Sequence, residues 1–275
     1  MNTWGMFACK GKYPFLYNLL TINNMNEETL QKMKQMKFHG MARMFRTSIE
    51  DGRMATLTSD EMISILIESE WDDRNNRRIE RNVRNARFRY KASVEKIYFD
   101  INRNLDKNQM MRLGDCSFIK KGENIIIIGS TGIGKSFIAS AIGSQACIIG
   151  YKVLYSNTSK LLSRLKMAKA DGSYLKEISR IEKQDLLILD DFGLQPFDSS
   201  SRSVLMEIIE DRHGRSSTII TSQVPVSHWY ELIGEQTIAD ALLDRIVHDA
   251  HRLELKGESL RIKQKVKMNE QIETN

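Results

Sequence analysis

Eight consecutive residues, Gly129-Ser130-Thr131-Gly132-Ile133-Gly134-Lys135-Ser136, fit the pattern G-x-x-x-x-G-K-[ST] and restrict their surroundings to one local architecture. A loop of this kind works only between a buried strand and a helix, because its backbone N–H groups and the helix N-terminus must converge on phosphate. Both flanks are present: Ile125 to Ile128 is a short apolar run, and Phe137 to Gly143 reads as the first turns of a helix. Gly129, Gly132 and Gly134 allow the tight turn. Lys135 is placed to touch the β- and γ-phosphates of ATP and Ser136 to ligate Mg²⁺, while Ser130, Thr131, Ile133 and Phe137 complete the expected nucleotide-binding set.

A second constellation lies about one strand and two helices further on. Leu186-Leu187-Ile188-Leu189-Asp190-Asp191 is an apolar strand ending in two carboxylates, as a Walker B strand does. Asp190 is expected to hold Mg²⁺ through water, and Asp191 to polarise the attacking water opposite the γ-phosphate. Thr221, Ser222 and Gln223 follow the next strand, where a polar side chain between the two acids would sense the γ-phosphate; Gln223 is the residue chosen for that role. Read by themselves, Arg245 and Arg261 are surface arginines. His248 and His251 are three apart with no third ligand beside them, so surface or capping roles suit them better than a metal.

From residue 122 onward apolar strands alternate with amphipathic helices, the pattern of a parallel sheet covered on both faces. The strands are expected at 124–128, 152–156, 186–190, 218–222 and 252–255. Upstream the pattern is helical. Apolar residues from Leu30 to Phe45 recur at helical spacing with Gly52 as a stop, and Thr58 with Glu61 has the spacing of a capping box that opens a second helix. Residues 25–105 therefore read as a small all-helical domain, with Asn102 to Asn108 as the passage to an α/β domain at 106–265, a leader at 1–24 without fixed order and a tail at 266–275.

The net charge of +6 is unevenly placed. Residues 122–275 hold 19 basic against 20 acidic side chains and residues 25–73 hold 6 against 10, whereas residues 74–121 hold 14 against 5. Arg74, Arg77, Arg78, Arg81 and Arg89 fall within about 120° of one face if the helix continues through them. Arg84, Arg87 and Lys91 add to the same segment, and Asn75, Asn76, Asn82 and Asn85 supply neutral donors. Glu80 is the single acid between 74 and 94, so pairing along the helix leaves most of the charge uncompensated. Arg74, Arg77, Arg78, Arg81, Arg84 and Arg89 are accordingly expected to bind nucleic-acid phosphate, with affinity that falls steeply with salt and reads sequence poorly. Three dispersed cysteines exclude a disulfide scaffold and a zinc knuckle, and no apolar run approaches the roughly 20 residues of a membrane span. A cytoplasmic location without membrane contact follows as the expectation.

In the order of their motifs, the Gly-rich loop, Leu-Leu-Ile-Leu-Asp-Asp-Phe-Gly, Thr-Ser-Gln, Leu-Leu-Asp-Arg-Ile and Lys-Gly-Glu-Ser-Leu-Arg, residues 25–265 closely resemble the IstB family of transposition helper ATPases. That family is a branch of the AAA+ P-loop NTPases related to DnaC-type helicase loaders. The resemblance implies ATP-dependent homo-oligomers on duplex DNA, DNA bending, and recruitment and stimulation of a partner transposase. It further implies that Arg245 is an arginine finger reaching a neighbouring subunit's γ-phosphate and Arg261 a sensor arginine on the bound nucleotide. Asp191 stands where most AAA+ proteins have Glu, and Gln223 where many have Asn; the shorter carboxylate holds water less closely, so slow hydrolysis suited to an assembly switch is expected.

Three other classes compete. A replicative helicase loader differs in the protein that co-purifies. A small-molecule kinase needs an acceptor pocket and a lid, of which the sequence has no signature. A non-catalytic adaptor is opposed by the intact Lys135, Ser136, Asp190 and Asp191.

Overall fold

The computed structural model describes residues 14–100 and 103–260, with side chains from residue 25 onward apart from that of residue 54. By compactness the chain divides between Arg78 and Ile79, within a helix and upstream of the boundary expected at 105.

The first unit is helical. Helix α1 (Pro14–Gln35) begins inside the segment read as a leader, of which residues 1–13 lie outside the described residues. It ends where Lys37 takes a positive φ of 62°, and α2 (His39–Glu50) follows, so the single helix expected over 25–52 is two. Leu30, Ala42 and Phe45 form the small core, with Met33, Ile49 and Leu66 against it. The capping box is present: the Thr58 N–H donates to Glu61 Oε2 at 2.8 Å and the Glu61 N–H to Thr58 Oγ1 at 3.3 Å, opening α3 (Ser59–Ala86).

The second unit is built on five parallel strands: β1 (Asn124–Ile128), β2 (Val153–Asn157), β3 (Leu186–Phe192), β4 (Ser217–Ser222) and β5 (Ala250–Glu254), in the order β2-β3-β4-β1-β5. All five strands lie within a few residues of their expected positions. Because side chains alternate along a strand, β1 sends Ile125 and Ile127 to one face and Ile126 to the other, and each face gathers its own core. On the first face lie α4 (Lys107–Gly114), α5 (Ser117–Lys121) and α6 (Lys135–Ile149). The second face is covered by α7 (Thr158–Asp171), α8 (Tyr174–Glu182), α9 (Ser199–Arg212) and α11 (Gln236–Val247), with α10 (Trp229–Ile233) at its margin. Gly143 of α6 lets Phe88 and Ile188 approach the helix; a Cβ there would lie 2.6 and 2.7 Å from their ring and methyl carbons. Strand β1, which carries the Gly-rich loop, sits between β4 and β5, so the loop opens at the carboxyl end of the sheet where parallel folds place ligands.

Arg103 and Leu105, in the stretch expected to be a passage, are buried. Asp106 caps α4 by accepting the Asn108 N–H at 2.8 Å. Among the described residues no helix is long and apolar enough to cross a membrane, and no cluster of metal-ligating side chains is found. Cys116 and Cys147 are free and buried, and burial pushes both thiols up to about 12.

Candidate nucleotide site

The loop between β1 and α6 has the backbone its glycines allow: Gly129, Gly132 and Gly134 have φ of 157°, 82° and 102°. Its crown is braced from two sides. The Arg103 guanidinium, 5% exposed, donates through Nη2 to the Ile133 carbonyl at 2.7 Å, and the Leu260 N–H donates to the Gly132 carbonyl at 3.0 Å. Lys135 is buried and its Nζ donates to the carbonyls of Gly129 and Ser130 at 2.8 and 2.9 Å, which holds the ammonium inside the curl of the loop.

Two carboxylates face this loop from β3. Asp190, 0% exposed, accepts at Oδ1 from the Ser136 hydroxyl at 2.8 Å and the Thr221 hydroxyl at 2.5 Å, and at Oδ2 from the Tyr155 hydroxyl. Burial, then the hydrogen bond and charge of Asp190, push the Tyr155 phenol far up, so it stays a protonated donor. At Asp191 the strand bulges out of register and φ is +56°, an uncommon conformation for a residue with a Cβ. The bulge turns the carboxylate toward the cavity, where Asn157 Nδ2 donates to Oδ2 at 3.2 Å.

The three candidates at the end of β4 separate cleanly. Thr221 takes the place between the acids, accepting the Asp191 N–H at 3.1 Å and donating to Asp190. Ser222 donates to the Phe192 carbonyl at 2.8 Å and is fully buried. Gln223 instead meets the loop, accepting the Thr131 hydroxyl at 2.5 Å, so the residue between the carboxylates is Thr221 while Gln223 lines the cavity.

The cavity so enclosed measures about 290 Å³ and is bordered by Thr131, Lys135, Ser136, Phe137, Asp191 and Gln223. Arg89, Tyr90, Leu194 and Leu260 close it. The donor set fits a nucleotide triphosphate with a hard divalent ion: a glycine-permitted loop at a helix N-terminus and a buried ammonium for phosphate, a hydroxyl beside a carboxylate for the metal.

A model of the family described as IstB-like ATP binding protein matches residues 31–268. The chain belongs to this family. An insertion-sequence ATP-binding protein of Sinorhizobium fredii is 43% identical over 239 residues, covering 87% of this chain and 98% of its own. The ATP-binding protein of insertion sequence IS21 of Pseudomonas aeruginosa is 28% identical, with 86% and 87% covered. Among solved structures, the DnaC helicase loader matches 61% of this chain and 98% of its own with a TM-score of 0.50 at 20% identity. AMPPCP-bound DnaA from Aquifex aeolicus matches 66% and 56% with a TM-score of 0.52 at 20% identity. These structural likenesses show the fold, and family membership makes the chain an ATPase of the IstB type.

Arg245 of the IstB-like protein stands away from its own nucleotide cavity. Its carbonyl accepts from Asn124 Nδ2 at 3.2 Å at the start of β1, four strand rises or about 13 Å from the loop at the other end. Its Nε is 2.7 Å from Glu210 Oε2. Arg261 lies outside the described residues, although the preceding Ser259 and Leu260 press on Gly132 and Gly134.

The basic ridge is corrected in two respects. Helix α3 stops at Ala86 and Arg87 turns the chain with φ +59°, so Arg89 leaves the helix face and enters the nucleotide site, with Nη1 3.4 Å from Asp191 Oδ2 and 3.6 Å from Asp190 Oδ2. Arg74 and Arg77 are paired with acids just upstream, Arg74 Nε to Glu70 at 2.7 Å and Arg77 Nη2 to Asp73 at 2.6 Å. Arg78 rests on Asn75 Oδ1 at 2.8 Å. Further basic side chains of the segment lie on the second unit. There Asn82 Nδ2 ties the end of α3 to the Gly150 and Tyr151 carbonyls at 3.4 and 3.2 Å. Arg84, Arg87, Lys91 and Lys96 line one cleft of about 530 Å³, and Arg81, Lys152 and Arg180 line another of about 460 Å³. Neither lining contains a carboxylate, and among the described residues none of these seven cations has one within ion-pair distance.

Sequence reasoning missed Tyr155, Asn157 and Arg103, and gave Arg89 to nucleic acid rather than to this site. The first two follow from register, since Tyr155 pairs with Ile188 and Asn157 with Asp190 across β2 and β3, a relation no local motif carries.

Proposed function

We propose that this chain is an ATP-dependent DNA-binding protein that oligomerises on duplex DNA, bends it, and recruits and stimulates a partner transposase, acting in the cytoplasm. The observation that carries the reading is the joining, in one compact unit, of a complete nucleotide site to clefts lined by cations without acids. Insertion-sequence relatives over most of the chain's length support the transposition setting.

In this reading Lys135 binds the β- and γ-phosphates, Ser136 and Asp190 hold Mg²⁺, and Asp191 accepts a proton from the water that Gln223 helps orient. Bound Mg²⁺ supplies neutralisation of the phosphate charge. Thr221, Tyr155 and Asn157 fix the two carboxylates through hydrogen bonds, so the acids are already oriented when nucleotide arrives. Arg245 acts on the γ-phosphate of a neighbouring subunit, and Arg261 on the nucleotide of its own.

Phosphate contacts fall to Arg81, Arg84, Arg87, Lys91, Lys96, Lys152 and Arg180. Fluorescence anisotropy with a duplex oligonucleotide, repeated over a salt series, tests this. Arg84→Glu with Arg87→Glu should lower affinity at least about tenfold and flatten the salt slope by about two, similarly for unrelated duplex sequences, while ATP binding persists. Unaltered DNA affinity in this variant would remove the clefts from the reading.

A further inference from the structure

The nucleotide site contains a cation that neither the phosphate loop nor the Walker B strand provides. Arg89 arrives from the segment that follows α3, redirected by the positive φ of Arg87. Its guanidinium is held on two sides. Carbon Cζ lies 5.6 Å from the centre of the Tyr90 ring, and that ring packs at 6.4 Å against Phe137, the neighbour of Ser136. On the other side Nη1 reaches Oδ2 of both Asp190 and Asp191, at 3.6 and 3.4 Å.

Two adjacent carboxylates, one of them fully buried, repel each other in a poorly screened site and require positive charge nearby. Ser136, Thr221, Tyr155 and Asn157 give them neutral donors, which orient the acids without cancelling their charge. A hard divalent ion seeks the same carboxylates, and two cations on one such pair repel each other. We infer that Arg89 is the resident counter-cation of the Asp190–Asp191 pair and that Mg²⁺ entering with nucleotide must displace it, so that this side chain sets the metal concentration the site requires. The inference rests on the nucleotide site read above. It gives the segment after α3 a direct hold on Asp191: while the guanidinium stays, the carboxylate that must polarise water has its outer oxygen occupied.

Binding of a fluorescent ATP analogue to the full chain, titrated with Mg²⁺ and repeated in EDTA, separates the possibilities. Arg89→Ala should lower the half-saturating Mg²⁺ concentration about fivefold or more with the affinity in EDTA changed less than about twofold, and Arg89→Lys should stay near wild type. The Arg89 side chain is 46% exposed, so its truncation opens no core cavity. In an Asp191→Asn background, where one of the two charges is gone, the Arg89→Ala effect should shrink. An unchanged or raised Mg²⁺ requirement in Arg89→Ala overturns the inference. So does an equal loss of affinity with and without metal, which would make Arg89 a phosphate ligand, or an undiminished effect in the Asp191→Asn background. If the wild type binds no analogue under either condition, the nucleotide reading itself fails and this inference falls with it.

Discussion

Asp191 shows how far a single position is legible. The apolar run ending in two acids identified Asp190 and Asp191 as site carboxylates, yet the means by which Asp191 faces the cavity lies in a bulge and a φ of +56°, which depend on pairing with β4 rather than on neighbours in sequence. Tyr155 was illegible for the same reason, and Thr221 could not be singled out from Ser222 and Gln223: their places come from register with β3. Asn adopts the left-handed region more readily than most residues with a Cβ, so Asp191→Asn keeps the backbone and removes only the proton acceptor. Phosphate release should fall about 10²-fold or more in this variant while ATP affinity stays within a few-fold, checked by a coupled phosphate assay beside nucleotide titration. Parallel loss of binding would mean that Asp191 holds nucleotide instead of activating water.

At the scale of elements, the pairing of α2 with α3 depends on one buried acid. Glu70 accepts the N–H groups of Gly40 and Met41 at 2.8 and 3.3 Å, covering the otherwise unsatisfied start of α2, and takes Arg74 Nε at 2.7 Å. Gly40 makes the approach possible, since a Cβ there would lie 2.3 Å from the Ser69 carbonyl oxygen. Helical periodicity exposed both helices, but the acid's partner lay 30 residues away and no spacing rule reaches that far. The same pairing corrects the ridge: charges counted along the segment from residue 74 overlooked Glu70 and Asp73 one turn before it. Burial raises the Glu70 carboxyl, but Arg74 and the Met41 and Gly40 amides outweigh it and hold the group below its ordinary 4.5. A depressed folded value means that the stabilisation is complete above about 4.5 and is lost as pH falls through the lower folded value. Glu70→Ala should therefore cost about 1–3 kcal/mol at pH 7 and progressively less in acid. Denaturant melts of the full chain, followed by helical circular dichroism at pH 7 and pH 4, read the difference.

At the scale of the whole molecule, the five strands and the nucleotide loop were legible because parallel sheets encode burial on both faces as continuous apolar runs, and because the loop has to follow one of them. The proposed role beyond one subunit was less so, and Arg245 is the test. Its backbone sits at the far end of β1 from its own loop, which suits the proposed action on a neighbour better than service to its own nucleotide. The ion pair with Glu210 is partly in water, 24% and 53% exposed on its two sides, and such a pair contributes about 1 kcal/mol or less, so a neighbouring phosphate can take the guanidinium from it. Arg245→Ala should consequently leave nucleotide affinity near wild type, abolish the ATP-dependent increase in mass on duplex DNA seen by analytical ultracentrifugation, and lower hydrolysis about 10³-fold. Lys135→Ala, by contrast, should lose nucleotide binding and assembly together. If Arg245→Ala loses nucleotide affinity to the same extent as Lys135→Ala, the arginine serves its own subunit and assembly is not held together through the γ-phosphate.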